Sequence, residues 1–352
     1  MQPIFEWATG KVTGQARADG TEYVFGVNTP RLDVFVIGAG VSGLTSAICL
    51  AEAGLSVAIQ AAEPPRATTS VVAGALWGTH LVGEDERVAG WADLGYAVLT
   101  ELAANPATGV HVAEGLMAVR VPQDEPPEAP NSTAPVEYTP CDELPPGYVA
   151  GWRLTAPMVS MPDYLSYLET RFLTAGGRLL EPRRFATLAD AVRHSDARVI
   201  VNCPGAGARD LVPDPSVTPV RGQVVVAANP GLTEFFVGNG ADPDDLTYIF
   251  PHGDTVILGG TQEHGRWSRD PDPAAAQRIL AACAEVDPRL RGVRVLEHRV
   301  GLRPARPQVR LEAETVADGR GLVHNYGHGG AGISLSWGCA QDAAKLAIAA
   351  LG

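Results

Sequence analysis

The sequence predicts an α/β protein whose first folded unit is Rossmann-like. An apolar, β-branched run at 32–38 is typical of a buried strand, and a second such run follows at 55–60. Between them, apolar residues recur at helical spacing from Val41 to Ala51, and Gly54 is a suitable helix C-terminus. The order strand, turn, helix, strand is that of a parallel βαβ unit.

The turn of this unit has the pattern GxGxxG and predicts a dinucleotide site. Glycine first allows a tight turn, then close approach of backbone to a pyrophosphate, and finally packing of the helix on the strand. A carboxylate, Glu63, lies 20 positions after the last glycine, where it can accept hydrogen bonds from a ribose. Gln60 is a competing candidate for that role. The predicted fingerprint residues are Gly38, Ala39, Gly40, Val41, Ser42 and Gly43.

The remaining pattern predicts a second, mainly antiparallel sheet and further elements of the first one. Strands are predicted at 198–203, 221–228 and 323–326, and a hairpin at 248–251 and 255–259 with its turn at 252–254. Helices are predicted at 162–175 and about 334–351. The stretch 121–147 has eight prolines and no basic residue, which indicates a long surface connection.

Composition excludes several classes of function. The chain has 352 residues, enough for about two domains, and a net charge of −13. That charge argues against nucleic acid or an anionic membrane as partner, since both require a basic face. The five cysteines lie far apart, so no metal site and no disulfide framework is expected. Without a signal peptide or an apolar span, the expected location is the cytoplasm; a homodimer is compatible with the sequence.

Two glycine-rich segments favour a flavin over a nicotinamide. Hydroxyl and small residues at 68–77 offer bare backbone to a long cofactor soon after the second strand. Near the C-terminus, the loop 327–332 could lie against a flat ring, and the helix that follows directs its positive N-terminal dipole at the loop. His328 is a candidate base there, but a loop role is favoured.

Two arginines lie beside prolines in the run GLRPARP. A guanidinium binds a carboxylate through two parallel, charge-assisted hydrogen bonds. For either Arg303 or Arg306, a structural ion pair is an equally good interpretation of the local sequence.

Taken together, these segments resemble the D-amino-acid oxidase family of FAD enzymes. The resemblance spans about 33–350 in the family's order, and its last two motifs are specific. The motifs are GAGVSG (38–43), TTSVVAGALW (68–77), RGQVVV (221–226), YIFP (248–251), VILGGT (256–261), GLRPARPQVRLE (301–312) and HNYGHGGAGISLSWGCAQDAAKL (324–346).

The resemblance implies the roles of individual residues. Arg303 and Tyr248 would bind the substrate carboxylate, and the Gly330 carbonyl would accept from its amine, with no side-chain base. Leu76 and Phe250 would form an apolar wall of the substrate pocket. The residues implied to contact FAD, besides the fingerprint and Glu63, are Thr68, Thr69, Gly74, Gly329, Gly330, Gly332, Ile333 and Ser334.

Two departures from the family bear on the substrate. Asp244 stands where eukaryotic members carry a lid tyrosine, so the acidic segment 241–245 predicts a more open entrance. Gln262 stands where D-aspartate oxidases carry a side-chain-binding arginine, which argues against acidic substrates.

The resemblance also implies a domain arrangement and a reaction. Two interleaved domains are expected: an FAD-binding domain at 31–78, 156–212 and 297–352, and a substrate-binding domain at 79–155 and 213–296, after an extension at 1–30. The expected reaction is oxidation of neutral or apolar D-amino acids to 2-oxo acids, ammonia and hydrogen peroxide, by hydride transfer to flavin N5 with O2 as acceptor. A glycine or sarcosine oxidase, a nicotinamide dehydrogenase and a catalytically silent flavoprotein remain alternatives.

Overall fold

Two sheets organise the chain, and their strands alternate along the sequence. The structure is a computed structural model that describes residues 31–126, 132–239 and 245–352. Within it, Arg31–Gly352 forms one compact unit. The predicted extension 1–30 and residues 241–244 of the predicted lid segment lie outside the described residues.

The strands and helices have the following bounds. In chain order they are β1 (Val34–Ile37), α1 (Val41–Glu52), β2 (Val57–Gln60), α2 (Val88–Leu102), β3 (Val110–Val119), β4 (Thr139–Pro140), β5 (Ala150–Val159), α3 (Met161–Thr174), β6 (Arg178–Leu179), α4 (Leu188–His194), β7 (Val199–Asn202), α5 (Ala208–Leu211), β8 (Thr218–Ala228), β9 (Phe235–Asn239), β10 (Asp245–His252), β11 (Thr255–Thr261), β12 (Glu263–His264), α6 (Pro273–Val286), β13 (Val295–Ala305), β14 (Arg310–Thr315), β15 (Gly321–Tyr326) and α7 (Gly332–Ala350).

The first sheet has six strands in the order β14-β15-β7-β1-β2-β6. β1 runs parallel to both β2 and β7, so the predicted Rossmann-like unit is confirmed. All of β1 is buried because both faces of the sheet are covered, as expected for parallel strands. Val34 and Val36 face a core shared with α1, α3 and α7, whereas Phe35 and Ile37 face Ala191 and its neighbours on α4.

The second sheet is larger and mainly antiparallel, as predicted. Its strands follow the order β12-β8-β11-β10-β9-β3-β5-β4, and β13 also pairs with β8. α6 covers one face, where Ile249 of β10 packs. Tyr248 and Phe250 belong to a cluster on the opposite face, because alternate residues of a strand point to opposite sides. β10 therefore presents two aromatic rings to the same side.

The sequence pattern located the motif-bearing elements but not all of the others. The predicted helix at 162–175 and the final helix at 334–351 correspond to α3 and α7 within about two residues. The segment 121–147 is more than a connection, since β4 pairs with β5 and Tyr138 reaches an internal cavity.

Two further observations bear on the domain and membrane predictions. β13 crosses the predicted domain border at 297 and pairs with β8 along its length. The division into two domains stays a prediction. In the described ranges, no helix is both long and apolar enough to cross a bilayer.

Candidate active site

A single cavity of about 920 Å³ brings the predicted site residues together. Its volume is near the upper end of the range for small-molecule sites, which is about 300–1,000 Å³. Gly43 is the exception among the predicted residues, because it packs behind the cavity wall. The lining includes Gly38, Ala39, Gly40, Val41, Ser42, Glu63, Thr68, Thr69, Gly74, Leu76, Tyr248, Phe250, Arg303, Gly329, Gly330, Gly332, Ile333 and Ser334.

Close backbone contacts explain the glycines of the fingerprint. A Cβ on Gly38 would lie 2.1 Å from the carbonyl oxygen of Cys203, and Gly38 has a φ of +104°. A Cβ on Gly43 would lie 2.0 Å from the Gly38 carbonyl oxygen. A side chain at Gly38 would displace the segment that follows β7, and a side chain at Gly43 would force α1 away from the end of β1.

The N-terminus of α1 opens into the cavity, and its first turn carries no acidic side chain. Gly40 caps the helix with extended backbone and no side chain, and the first turn has no acidic residue. The Val41 N–H donates to Ser70 Oγ at 3.0 Å. Free amides and the helix dipole together favour an anion such as a pyrophosphate. Ser70 belongs to the predicted hydroxyl segment 68–77, although only Thr68 and Thr69 of its three hydroxyl residues were named as FAD contacts.

Gln60 and Glu63, the two candidates for binding the ribose, have different positions relative to the cavity. Gln60 is buried within β2 and its amide donates to the Glu181 carbonyl, so it does not line the cavity. Glu63 does line it, and its carboxylate forms an ion pair with Arg269 at 2.7 Å. Sequence reasoning did not find Arg269, which lies 206 positions away.

The C-terminal glycine loop is fixed next to β13. The Gly329 N–H donates to the Pro304 carbonyl at 2.9 Å. Gly329 has a φ of +55°, and a Cβ there would lie 1.7 Å from the Leu81 carbonyl oxygen. α7 then begins at Gly332 with no acidic residue in its first turn, and Ser334 Oγ accepts from the Gly78 N–H.

His328 belongs to a buried network. Its Nε2 lies 3.0 Å from Asn325 Oδ1, and the Asn325 amide donates to Ser46 Oγ on α1. Burial lowers the pKa of His328 to about 4. The ring therefore connects the glycine loop to the first helix in its neutral form.

Arg303 and Arg306 have different environments despite their similar sequence context. Arg306 forms an ion pair with Asp214 at 3.0 Å. Arg303 lines the cavity, donates from Nη1 to the Thr261 carbonyl at 3.0 Å, and has no ion-pair partner among the described residues. Gly222 makes room for it, since a Cβ there would lie 2.4 Å from Arg303 Nη1. A guanidinium without a carboxylate partner can bind an anionic ligand.

Tyr248 lies beside Arg303 on the same cavity wall. Its ring stacks on Phe250 with a centroid distance of 4.7 Å. A Cβ on Gly259 would lie 1.9 Å from Tyr248 Cζ, so this glycine is required for the position of the ring. Burial raises the pKa of Tyr248, and the charge of Arg303 acts in the opposite direction. The hydroxyl is therefore a neutral hydrogen-bond donor near a cation.

A neutral polar pair, His80 and Gln262, lies near the part of the cavity that carries Arg303 and Tyr248. His80 Nε2 lies 3.0 Å from Gln262 Oε1. Partial burial lowers the pKa of His80, the hydrogen bond that His80 donates to Gln262 Oε1 opposes that shift, and the charge of Arg303 adds to it. No sequence pattern selects His80, although it lies three residues after the predicted cofactor-facing segment 68–77.

These features fit FAD. A glycine cradle, a helix N-terminus with no acidic residue in its first turn and a carboxylate beyond β2 suit the adenosine and pyrophosphate. Gly329, Gly330 and Gly332 of the glycine loop and the small residues at 73–75 line the cavity with little side chain over the backbone.

Comparisons with known proteins agree with this assignment. A family model described as FAD dependent oxidoreductase (DAO) matches residues 33–346. The D-amino-acid oxidase of Rubrobacter xylanophilus is 50% identical over 318 residues, covering 90% of this chain and 96% of that protein. That of Streptomyces coelicolor is 45% identical over 330 residues, again covering 90% and 96%.

A solved structure has the same fold at lower identity. The glycine oxidase of Geobacillus kaustophilus superposes with a TM-score of 0.73 at 21% identity, covering 91% of this chain and 95% of that one. Identity at this level supports the fold alone. The resemblance stated from the sequence motifs is confirmed, and the chain belongs to the D-amino-acid oxidase family of FAD-dependent oxidoreductases.

Proposed function

We propose that this chain oxidises D-amino acids to 2-oxo acids and ammonia, with O2 as the final acceptor and hydrogen peroxide as the second product. The observation that supports this most strongly is the difference between Arg303 and Arg306 in their ion-pair partners. Arg306 is neutralised by Asp214, whereas the cavity-lining Arg303 has no ion-pair partner in the described part of the chain. A carboxylate substrate supplies the missing partner.

Three groups would orient the substrate. Arg303 and the Tyr248 hydroxyl bind the carboxylate, and the Gly330 carbonyl accepts a hydrogen bond from the amine. FAD, when bound, supplies the hydride acceptor at its N5 atom. The amine lone pair assists departure of the α-hydrogen as hydride, so that no side-chain base is required. The resulting imino acid reacts with water to give the 2-oxo acid and ammonia. Positioning is therefore the main contribution of the protein.

The remaining cavity wall favours neutral or apolar side chains. Leu76 and Phe250 supply apolar surface, and Gln262 is engaged with His80. Of the other arginines of the cavity lining, Arg269 is already paired with Glu63, and Arg183 and Arg184 lie at the fingerprint side, where the Arg183 N–H donates to the Ala61 carbonyl. A second substrate carboxylate would thus be desolvated next to Leu76 and Phe250 without a cation of its own.

A peroxide-release screen over D- and L-amino acids, glycine and sarcosine tests the proposal. We expect release with neutral D-amino acids such as D-alanine, little with D-aspartate, and none with the L-enantiomers. Activity confined to glycine or sarcosine would favour a glycine or sarcosine oxidase instead. Activity confined to L-amino acids would contradict the stereochemistry of the proposal.

Location and assembly are also part of the proposal. A cytoplasmic location and a homodimer are predictions from the sequence. Cell fractionation tests the first, and light scattering of the purified holoenzyme tests the second.

A further inference from the structure

Residues 265–270 form an arm that reaches from the larger sheet to the fingerprint side of the cavity. The arm follows β12, which pairs with β8. Trp267 and Arg269 of the arm both line the cavity. The segment is therefore part of the cavity wall, although it comes from the sheet that carries Tyr248.

A fully buried arginine fixes the arm. Arg221 of β8 is 0% exposed, and its Nη1 pairs with Glu263 at 2.7 Å. It also donates from Nε to the Ser268 carbonyl at 3.0 Å and from Nη2 to the Asp270 carbonyl at 2.5 Å. The backbone is thus held on both sides of Arg269, and this restricts where the Arg269 side chain can reach.

The Arg269 guanidinium makes two contacts across the cavity wall. Nη1 donates to Glu63 Oε1 at 2.7 Å, and Nη2 donates to the Ala67 carbonyl at 3.1 Å. Ala67 directly precedes the Thr68–Thr69 pair. Arg269 therefore joins the predicted ribose carboxylate to the segment that leads to the middle of the cavity.

We propose that Arg269 is an FAD-binding residue that holds Glu63 in place and offsets its charge. The inference depends on the proposed placement of the FAD adenosine at Glu63. The contact to Oε1 leaves Glu63 Oε2 to accept from a ribose hydroxyl. Without Arg269, an unpaired carboxylate would lie near a pyrophosphate that is itself doubly negative, in a protein of net charge −13.

FAD affinity of the apoprotein tests the inference, measured by quenching of flavin fluorescence. Arg269→Ala should raise the Kd about tenfold, and less at high salt, because the contact is partly exposed. Adding Glu63→Gln to Arg269→Ala should recover part of the loss, because the unpaired charge is then removed.

The matched control is Arg266→Ala. Arg266 lies on the same arm, is 47% exposed against 45% for Arg269, and also pairs with a glutamate, Glu263. It does not line the cavity, so its removal should leave the Kd unchanged. Equal Kd values for the parent, Arg266→Ala and Arg269→Ala would overturn the inference, as would a double variant no better than Arg269→Ala.

Two further measurements separate other causes of failure. Thermal unfolding of each apoprotein shows whether a variant is folded, and Arg269→Gln, which retains a donor, should fall between the parent and Arg269→Ala. Loss of the proposed activity on D-amino acids would leave these affinities unaffected, so failure of the proposed function is distinguishable from failure of this inference.

Discussion

The two ends of the cavity use glycine for opposite purposes. At the fingerprint end, Gly38 and Gly43 allow two backbone segments to lie closer together than a Cβ atom would permit. At the end that carries Arg303, Gly222 and Gly259 leave room for large side chains, the guanidinium and the Tyr248 ring. One end is therefore a backbone surface and the other a side-chain surface.

This difference decides what each end recognises. Backbone amides at a helix N-terminus bind phosphate without regard to the rest of the ligand. A planar guanidinium and a phenol, in contrast, fix the orientation of one carboxylate. Substitutions at the two ends should accordingly affect FAD affinity and turnover separately.

Replacing Arg303 should have the largest effect on turnover. Arg303→Ala removes two charge-assisted hydrogen bonds, about 3–6 kcal/mol in total, so kcat/KM on D-alanine should fall about 10²- to 10⁴-fold. The loss should appear mainly as a higher KM, with FAD affinity retained. Steady-state peroxide release measures it.

Arg306→Ala is the control three residues away. Hydrogen bonds from Ser216, Tyr326 and Arg306 lower the pKa of Asp214 to about 2, against the opposing effect of burial. Removing Arg306 should therefore lower Tm and leave kcat/KM near the parent value. Equal losses of kcat/KM in the two variants would contradict the division of roles between the arginines.

Tyr248→Phe should have a smaller effect on the same quantity. It removes one hydroxyl hydrogen bond to a charged ligand, worth about 1.5–3 kcal/mol, so kcat/KM should fall about 10- to 100-fold. The ring stack with Phe250 stays, so Tm should change little. A variant with parental kcat/KM would show that the hydroxyl does not contact the carboxylate.

A pair of glycine substitutions tests the comparison itself. Gly222→Ala displaces the Arg303 guanidinium and should lower kcat/KM about tenfold at unchanged FAD affinity. Gly40→Ala places a Cβ 3.1 Å from Ser70 Oγ at the helix N-terminus. It should raise the FAD Kd about tenfold and leave kcat at saturating FAD unchanged. If either variant changes FAD affinity and turnover to the same extent, the two ends are not independent.

We expect the smallest effect for the pH dependence of stability, to which His252, a buried histidine behind the cavity wall, contributes. His252 Nε2 donates to the Gly74 carbonyl at 3.3 Å. Burial lowers its pKa from 6.5 to about 4, with a further lowering by His111. The unfolded chain binds this proton below pH 6.5 but the folded protein only near pH 4, so stability is lost as the pH falls through that window.

His252→Gln keeps a donor for Gly74 and removes the titrating group. The Tm of the variant at pH 7.5 should be close to that of the parent. Between pH 6.5 and 4.5, the Tm of the variant should fall by a few degrees less than the Tm of the parent. Differential scanning fluorimetry across this range measures both. Parallel curves for the two proteins would contradict the assignment.

The local motifs were predictable from the sequence because the physics that requires them is local. β1, α1 and β2 follow from one apolar pattern and four glycines within 27 residues. The end of the cavity that carries Arg303 and Tyr248 was not predictable in this way. Arg303 and Arg306 look alike until Asp214, 92 positions before Arg306, is brought to one of them by the fold.

Long-range pairs were missed for the same reason. The Arg269–Glu63 pair and the His80–Gln262 pair each join segments more than 180 positions apart. Family resemblance supplied the roles of Arg303, Tyr248 and Gly330, which no local periodicity indicates. Gln262 was selected only because it departs from related sequences.

Anaerobic reduction of the bound flavin tests the central claim most directly. D-Alanine and L-alanine are added separately to the holoenzyme without oxygen, and the visible absorbance band of oxidised flavin is followed. The band should bleach with D-alanine and persist with L-alanine. Persistence with every neutral D-amino acid would contradict the account and indicate a catalytically silent flavoprotein.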